Sequence, residues 1–166
     1  MISNEIRDSL KKVCEALNKN NVDCLLIGGT AVGFYGYQRI SGISAFKPEM
    51  KSDLDFWYNP VTENFINILK SLSELGIDTS ELEKAIFDPD RTFLKIPMKK
   101  FHLDFLPRME GLPSYLKCRK NARKEILDGN DLFVISLNDL IANKKALTRG
   151  IDKDDLENLS NFQKEK

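Results

Sequence analysis

The residues of this chain best suited to chemistry begin with Ser52-Asp53-Leu54-Asp55-Phe56-Trp57. Side chains alternate along a strand, so a strand here projects Asp53 and Asp55 from one face and sends Leu54 and Phe56 into a core on the other. Two bare carboxylates side by side repel, and one is driven toward protonation unless a divalent cation coordinates both. Upstream, Leu25-Leu26-Ile27-Gly28-Gly29-Thr30 runs a strand into paired glycines and a helix start, where backbone N–H groups can approach a phosphate and the helix dipole favours it. Downstream, His102-Leu103-Asp104-Phe105-Leu106 forms another strand, with Asp104 opposite Leu103 and Phe105. Three carboxylates and a glycine turn make a candidate metal and triphosphate site. Each piece also has a plainer reading: an exposed strand edge for the paired aspartates, a tight turn without a ligand for the glycines. His102, the only histidine, shares the Asp104 face by alternation and is either close to a metal or a surface or packing histidine.

The elements that must position these residues are legible in outline. Ile6, Leu10, Val13, Cys14 and Leu17 recur at helical spacing over 4–18, and a short strand follows over 23–27. Thr30 is expected to cap a helix running to about Tyr35, closed by Gly36. Residues 40–52 lack periodicity and read as a long loop into a strand over 53–58, after which Phe65, Ile68, Leu69, Leu72 and Leu75 mark a helix over 61–75. A short helix over 79–87 precedes strands at 92–96 and 101–106, joined through Pro97-Met98-Lys99-Lys100 as a hairpin. Gly129-Asn130 separates strands at 124–127 and 131–135, Ser136 caps a helix to about 148, and Asp152 opens a last helix to about 162. The alternation of helices and strands indicates a single α/β domain, with a core over about 22–135 and a helical part over 136–163.

Composition bounds the partners. Hydrophobic residues at 42% and charged residues at 30% exclude disordered and collagen-like classes. The 25 basic and 25 acidic residues cancel, which taken alone argues against a generally basic nucleic-acid binder. Position changes this: residues 91–124 hold 10 basic and 2 acidic side chains, between two acidic segments. Lys117, Arg119, Lys120, Arg123 and Lys124, with Lys95, Lys99, Lys100 and Arg108, form either a surface for a phosphate-rich acceptor such as RNA or a solvated set balancing acidic neighbours. Cys14, Cys24 and Cys118 form no CxxC pair, so neither a disulfide framework nor a zinc knuckle is expected. The charged N-terminus and the lack of any run near the roughly 18 apolar residues of a membrane span point to a cytoplasmic protein without a membrane partner.

A Gly-Gly-Thr turn, an Asp-x-Asp on the next strand and a third Asp on a later strand resemble the nucleotidyltransferase superfamily, the fold of polymerase beta-like enzymes and small antibiotic-modifying transferases. Within it, IGGTAVGFYGYQR at 27–39, SDLDFW at 52–57 and LNDLIANKKALTRGIDKDDLENL at 137–159 are most similar to small prokaryotic nucleotidyltransferases related to the AbiEii toxin family, over about residues 22–160. The resemblance implies a mixed β-sheet flanked by helices, with C-terminal helices. It implies transfer of an NMP group from an NTP to an acceptor hydroxyl on RNA, protein or a small molecule. Asp53 and Asp55 would hold Mg²⁺, or Mn²⁺, and Asp104 would complete a second metal site or act as general base. Gly28, Gly29, Thr30, Arg39, Ser52 and Lys144 become the candidate nucleotide contacts, although residues such as Arg39 and Lys144 are more often solvated helix or loop charges. Two departures stand out: the loop separates Arg39 from Asp53, and Ile151 occupies the lysine position of the family's RxKDxxDL tail. The alternative is a non-catalytic member of the fold, binding a nucleotide or a partner protein encoded nearby in a toxin-antitoxin or defence pair. Trp57 is expected in the core rather than as a base-stacking platform, while Tyr35 and Tyr37 fit either packing or nucleotide contact.

Overall fold

The computed structural model describes residues 3–36, 52–147 and 150–164. In chain order the elements are α1 (Asn4–Lys19), β1 (Cys24–Ile27), α2 (Gly28–Phe34), β2 (Ser52–Tyr58), α3 (Thr62–Glu74), α4 (Ser80–Glu83), β3 (Leu94–Pro97), β4 (Phe101–Leu106), α5 (Tyr115–Lys120), β5 (Arg123–Leu127), β6 (Asn130–Val134), α6 (Leu137–Leu147) and α7 (Gly150–Lys164). The six strands form one mixed sheet in the order β3-β4-β2-β1-β6-β5. β2 runs parallel to β4 and β1 to β6, while β1 and β2, β3 and β4, and β5 and β6 are antiparallel. This is the expected α/β class, with a mixed sheet flanked by helices.

Strand alternation sorts the two faces. Leu54, Phe56, Leu103 and Phe105 are buried, with the Phe56 and Phe105 rings stacked at 5.6 Å. α1 and α3, whose apolar stripes are Leu10, Val13, Leu17 and Phe65, Ile68, Leu72, belong to the same core and are joined by the Ser71 hydroxyl donating to the Ala16 carbonyl at 3.1 Å. Asn64, although polar, is buried because it clamps the β1 entry: it donates to the Asp23 and Asn59 carbonyls and accepts from the Asp23 N–H. On the opposite face, Trp57 packs edge-on to Tyr115 of α5 at 5.4 Å and donates to the Pro107 carbonyl at 3.1 Å, which makes it a core residue.

Two local expectations change. Thr30 lies inside α2, not at its start, because the helix begins at Gly28 with Ile27 as N-cap. The short helix expected over 79–87 contracts to Ser80–Glu83, and Ile86 beyond it is 94% exposed, so no apolar stripe sustains a longer one. Ser136 caps α6 as expected, accepting from the Asp139 N–H at 3.1 Å and donating to the Asp139 carboxylate at 2.8 Å. Among the described residues no helix is long and apolar enough to cross a membrane.

Candidate active site

The parallel pairing of β2 with β4 sets Asp55 opposite Asp104 and Asp53 opposite His102. The antiparallel partner β1 ends with Ile27 opposite Asp55, and β3 places Lys95 opposite Asp104. One row across four strands therefore reads Ile27, Asp55, Asp104, Lys95, and residues in one row share a face. Asp53, two residues from Asp55, shares it as well. Register thus brings Asp104 to the face that Asp53 and Asp55 share by alternation along β2.

The glycine turn adjoins this row. Gly28 follows Ile27 with φ +67°, a left-handed conformation, and a Cβ on it would meet the Asp55 Oδ2 at 2.5 Å. Only a residue without a side chain lets the turn sit against that carboxylate. Ile27, as N-cap, offers the first turn of α2 no side-chain cap. Thr30 is 5% exposed and its hydroxyl donates to the Asp53 carbonyl at 3.0 Å, tying α2 to β2. That bond directs the hydroxyl to the strand carrying the carboxylates. Gly29 is buried within α2, and Ser52 opens β2 opposite Phe101, half-buried.

Asp104 is the most enclosed of the three, 9% exposed. Burial raises its carboxyl above the ordinary value and Asp53 adds to the rise, against the lowering effects of Lys95, His102 and a hydrogen bond with Asp55. Asp104 Oδ1 and His102 Nδ1 are buried without a hydrogen-bond partner among the described residues. A buried carboxylate oxygen left without a donor is the chemistry a hard cation satisfies, and the donors here are carboxylate oxygens of the kind Mg²⁺ takes. Among the described residues, no group of three His, Cys, Asp or Glu side chains is placed to hold a metal ion. Mg²⁺ does not need such a group, since it is commonly held by one or two carboxylates together with substrate phosphates. A pair of carboxylates of this kind would suit the ion together with substrate phosphates.

Other expected site residues sort differently. Arg39 and Tyr37 lie outside the described residues, as does the loop before Ser52. Lys144, expected at a phosphate, is instead 2% exposed and bonded to Asp152 at 3.1 Å and Asp155 at 3.0 Å, both fully buried. Its ammonium joins α6 to α7, because an unpaired lysine in that interior would be strongly disfavoured. Tyr35 donates to the Ile135 carbonyl at 2.8 Å and packs on Phe162, a structural tyrosine. Four cations of the basic segment are neutralised: Arg108 pairs with Asp90, Arg119 with Asp23, Arg123 with Glu125 and Lys124 with Asp131. The balancing reading holds for these four. Lys95 is the residue whose place was not legible as part of the carboxylate row. Its signal lay in the hairpin: a two-residue turn at Lys99-Lys100 pairs 97 with 102 and hence 95 with 104. Three grooves of about 500, 340 and 610 Å³ lie elsewhere, lined by none of the three aspartates.

No family model matches the chain, and no curated protein matches it. Solved structures do. The lincosamide antibiotic adenylyltransferase LnuA, bound to lincomycin, superposes with a TM-score of 0.60 at 12% identity, covering 97% of this chain and 98% of its own. A Thermotoga maritima protein assigned as a nucleotidyltransferase gives 0.56 at 17% identity, covering 100% and 97%. An antigenic nucleotidyltransferase-like protein from Paracoccidioides brasiliensis gives 0.55 at 13% identity, covering 95% of this chain and 76% of that one. What the chain shares with all three is the fold, a nucleotidyltransferase fold.

Proposed function

On this fold, we propose that the chain is a Mg²⁺-dependent nucleotidyltransferase that moves an NMP group from an NTP to an acceptor hydroxyl. The observation that carries the reading is the row Ile27, Asp55, Asp104, with Gly28 against the Asp55 carboxylate. Asp53 and Asp55 hold Mg²⁺, or Mn²⁺, which when bound offsets the charge of the triphosphate and of the departing pyrophosphate. The backbone at Gly28, Gly29 and the start of α2 binds the triphosphate from the β1 side. Asp104 lies one strand further from that turn, where its unpartnered Oδ1 would complete a second metal site or accept the acceptor's proton. The acceptor oxygen bonds to the α-phosphorus, the bond from that phosphorus to the bridging oxygen breaks, pyrophosphate leaves, and the acceptor proton passes to Asp104 or to solvent. The AbiEii-like reading, with a toxin-antitoxin setting, a partner protein from a neighbouring gene and a cytoplasmic location, rests on the sequence motifs at 27–39, 52–57 and 137–159.

The test is incubation of the purified chain with each labelled NTP, Mg²⁺ or Mn²⁺ and a cell lysate, asking whether label passes to RNA, protein or a small molecule. Asp53→Ala and Asp55→Ala abolish the transfer. Full activity in both variants would refute the reading. A chain that binds NTP by calorimetry yet transfers nothing would be the non-catalytic form of the fold.

A further inference from the structure

The geometry points to Lys95 as the residue that recruits an anionic, phosphate-bearing acceptor to the Asp104 side of the carboxylate row. This rests on the nucleotidyl-transfer reading for what the row does and on strand register for where Lys95 stands. Strands lie about 4.8 Å apart, so along the row the Lys95 backbone is about 10 Å from that of Asp55 and about 14 Å from Ile27, which precedes the glycine turn. A triphosphate at the turn and a group at Lys95 occupy opposite ends, with Asp104 between Asp55 and Lys95. The substrate on the far side of the carboxylates from the triphosphate is the acceptor.

Lys95 is free to serve it. β3 alternates buried Leu94 and Ile96 with exposed Lys95 and Pro97, so the lysine leaves the core on the carboxylate face. Its charge is felt by Asp104, yet no carboxylate among the described residues forms an ion pair with it. Four cations of the same segment are already paired, and Lys99 and Lys100 line a groove that also holds Glu5 and Asp8. Lys95 thus presents an ammonium without an ion pair among the described residues beside the acceptor's path, which repels a cationic acceptor and attracts an anionic one. A phosphate ester, with up to two charges and three acceptor oxygens, gains more from one ammonium than a carboxylate does.

The experiment titrates the full chain with ribose 5-phosphate and, separately, with ribose, by amide-resolved NMR, with and without a non-hydrolysable ATP analogue and Mg²⁺. The expected result is preference for the phosphorylated sugar, with shifts on residues 94–97 and 102–105. Lys95→Ala weakens ribose 5-phosphate binding by about tenfold or more, Lys95→Arg restores most of it, and the affinity for the ATP analogue is unchanged in both. Equal binding of both sugars, or loss of analogue affinity in Lys95→Ala, overturns the proposal. So does a Lys95→Ala chain that only self-associates, which would assign the lysine to protecting an edge strand. Absence of analogue binding in the unaltered chain would count against nucleotidyl transfer itself, while the phosphate preference and its dependence on Lys95 still decide this inference.

Discussion

Gly28→Ala separates backbone strain from damage to the carboxylates. With φ at +67° an alanine sits in the left-handed region, at a cost of about 1–2 kcal/mol. Its Cβ would also stand 2.5 Å from the Asp55 Oδ2 and 3.3 Å from the Asp55 Cβ and Cγ. The carboxylate is the movable end of its side chain, so it retreats by about 1 Å to reach ordinary contact, and the clash adds little to the stability loss. In a chain of this length 1 kcal/mol lowers Tm by about 2–4 °C, which gives an expected fall of about 2–8 °C. Catalysis is less forgiving, since a misplacement of about 1 Å costs on the order of 100-fold. Gly76→Ala supplies the control: φ is +86°, with nothing within 4 Å of the added Cβ. Calorimetric Tm and NTP-dependent transfer rate are measured on both variants. Similar losses of Tm are expected, with about 100-fold lower kcat/KM in Gly28→Ala alone. A Gly28→Ala chain as active as Gly76→Ala would refute the claim that the glycine turn fixes Asp55.

Asp104→Asn lowers transfer by at least about 100-fold while changing the pH dependence of stability. Because Asp104 is raised above 3.8, the native state holds its proton more tightly than the unfolded chain, and stability falls as pH rises from 3.8 through the folded value. In metal-free buffer the variant's Tm should therefore gain on the unaltered chain as pH rises above 3.8; a constant difference would contradict the burial argument. Lys144→Met removes the ammonium shared by Asp152 and Asp155 and is expected to cost about 3–5 kcal/mol in urea unfolding, whereas a loss below about 1 kcal/mol would show that the carboxylates do not depend on it. Thr30→Val deletes the hydrogen bond to the Asp53 carbonyl and should cost about 1 kcal/mol, with Thr30→Ser recovering it; equal stability of the two variants would exclude that bond as the cause.

The sequence by itself determined the alternating faces of β2 and β4, because a period of two needs no tertiary information: once 52–58 and 101–106 are strands, Asp53, Asp55 and Asp104 must oppose Leu54, Phe56, Leu103 and Phe105. It likewise determined the amphipathic helices, whose apolar stripes recur along one chain segment. The partners across strands depended on tertiary structure. That Asp55 stands beside Asp104 and not beside His102 is set by the β2–β4 register, which a shift of one residue would undo. The same holds for the fates of the cations. Lys144 and Lys95 are both lysines whose surroundings the sequence does not reveal, yet one is buried between two aspartates and the other stands exposed at the end of the carboxylate row. A charge finds its role through the dielectric and the counter-charges around it, and those are assembled from segments that only folding brings together.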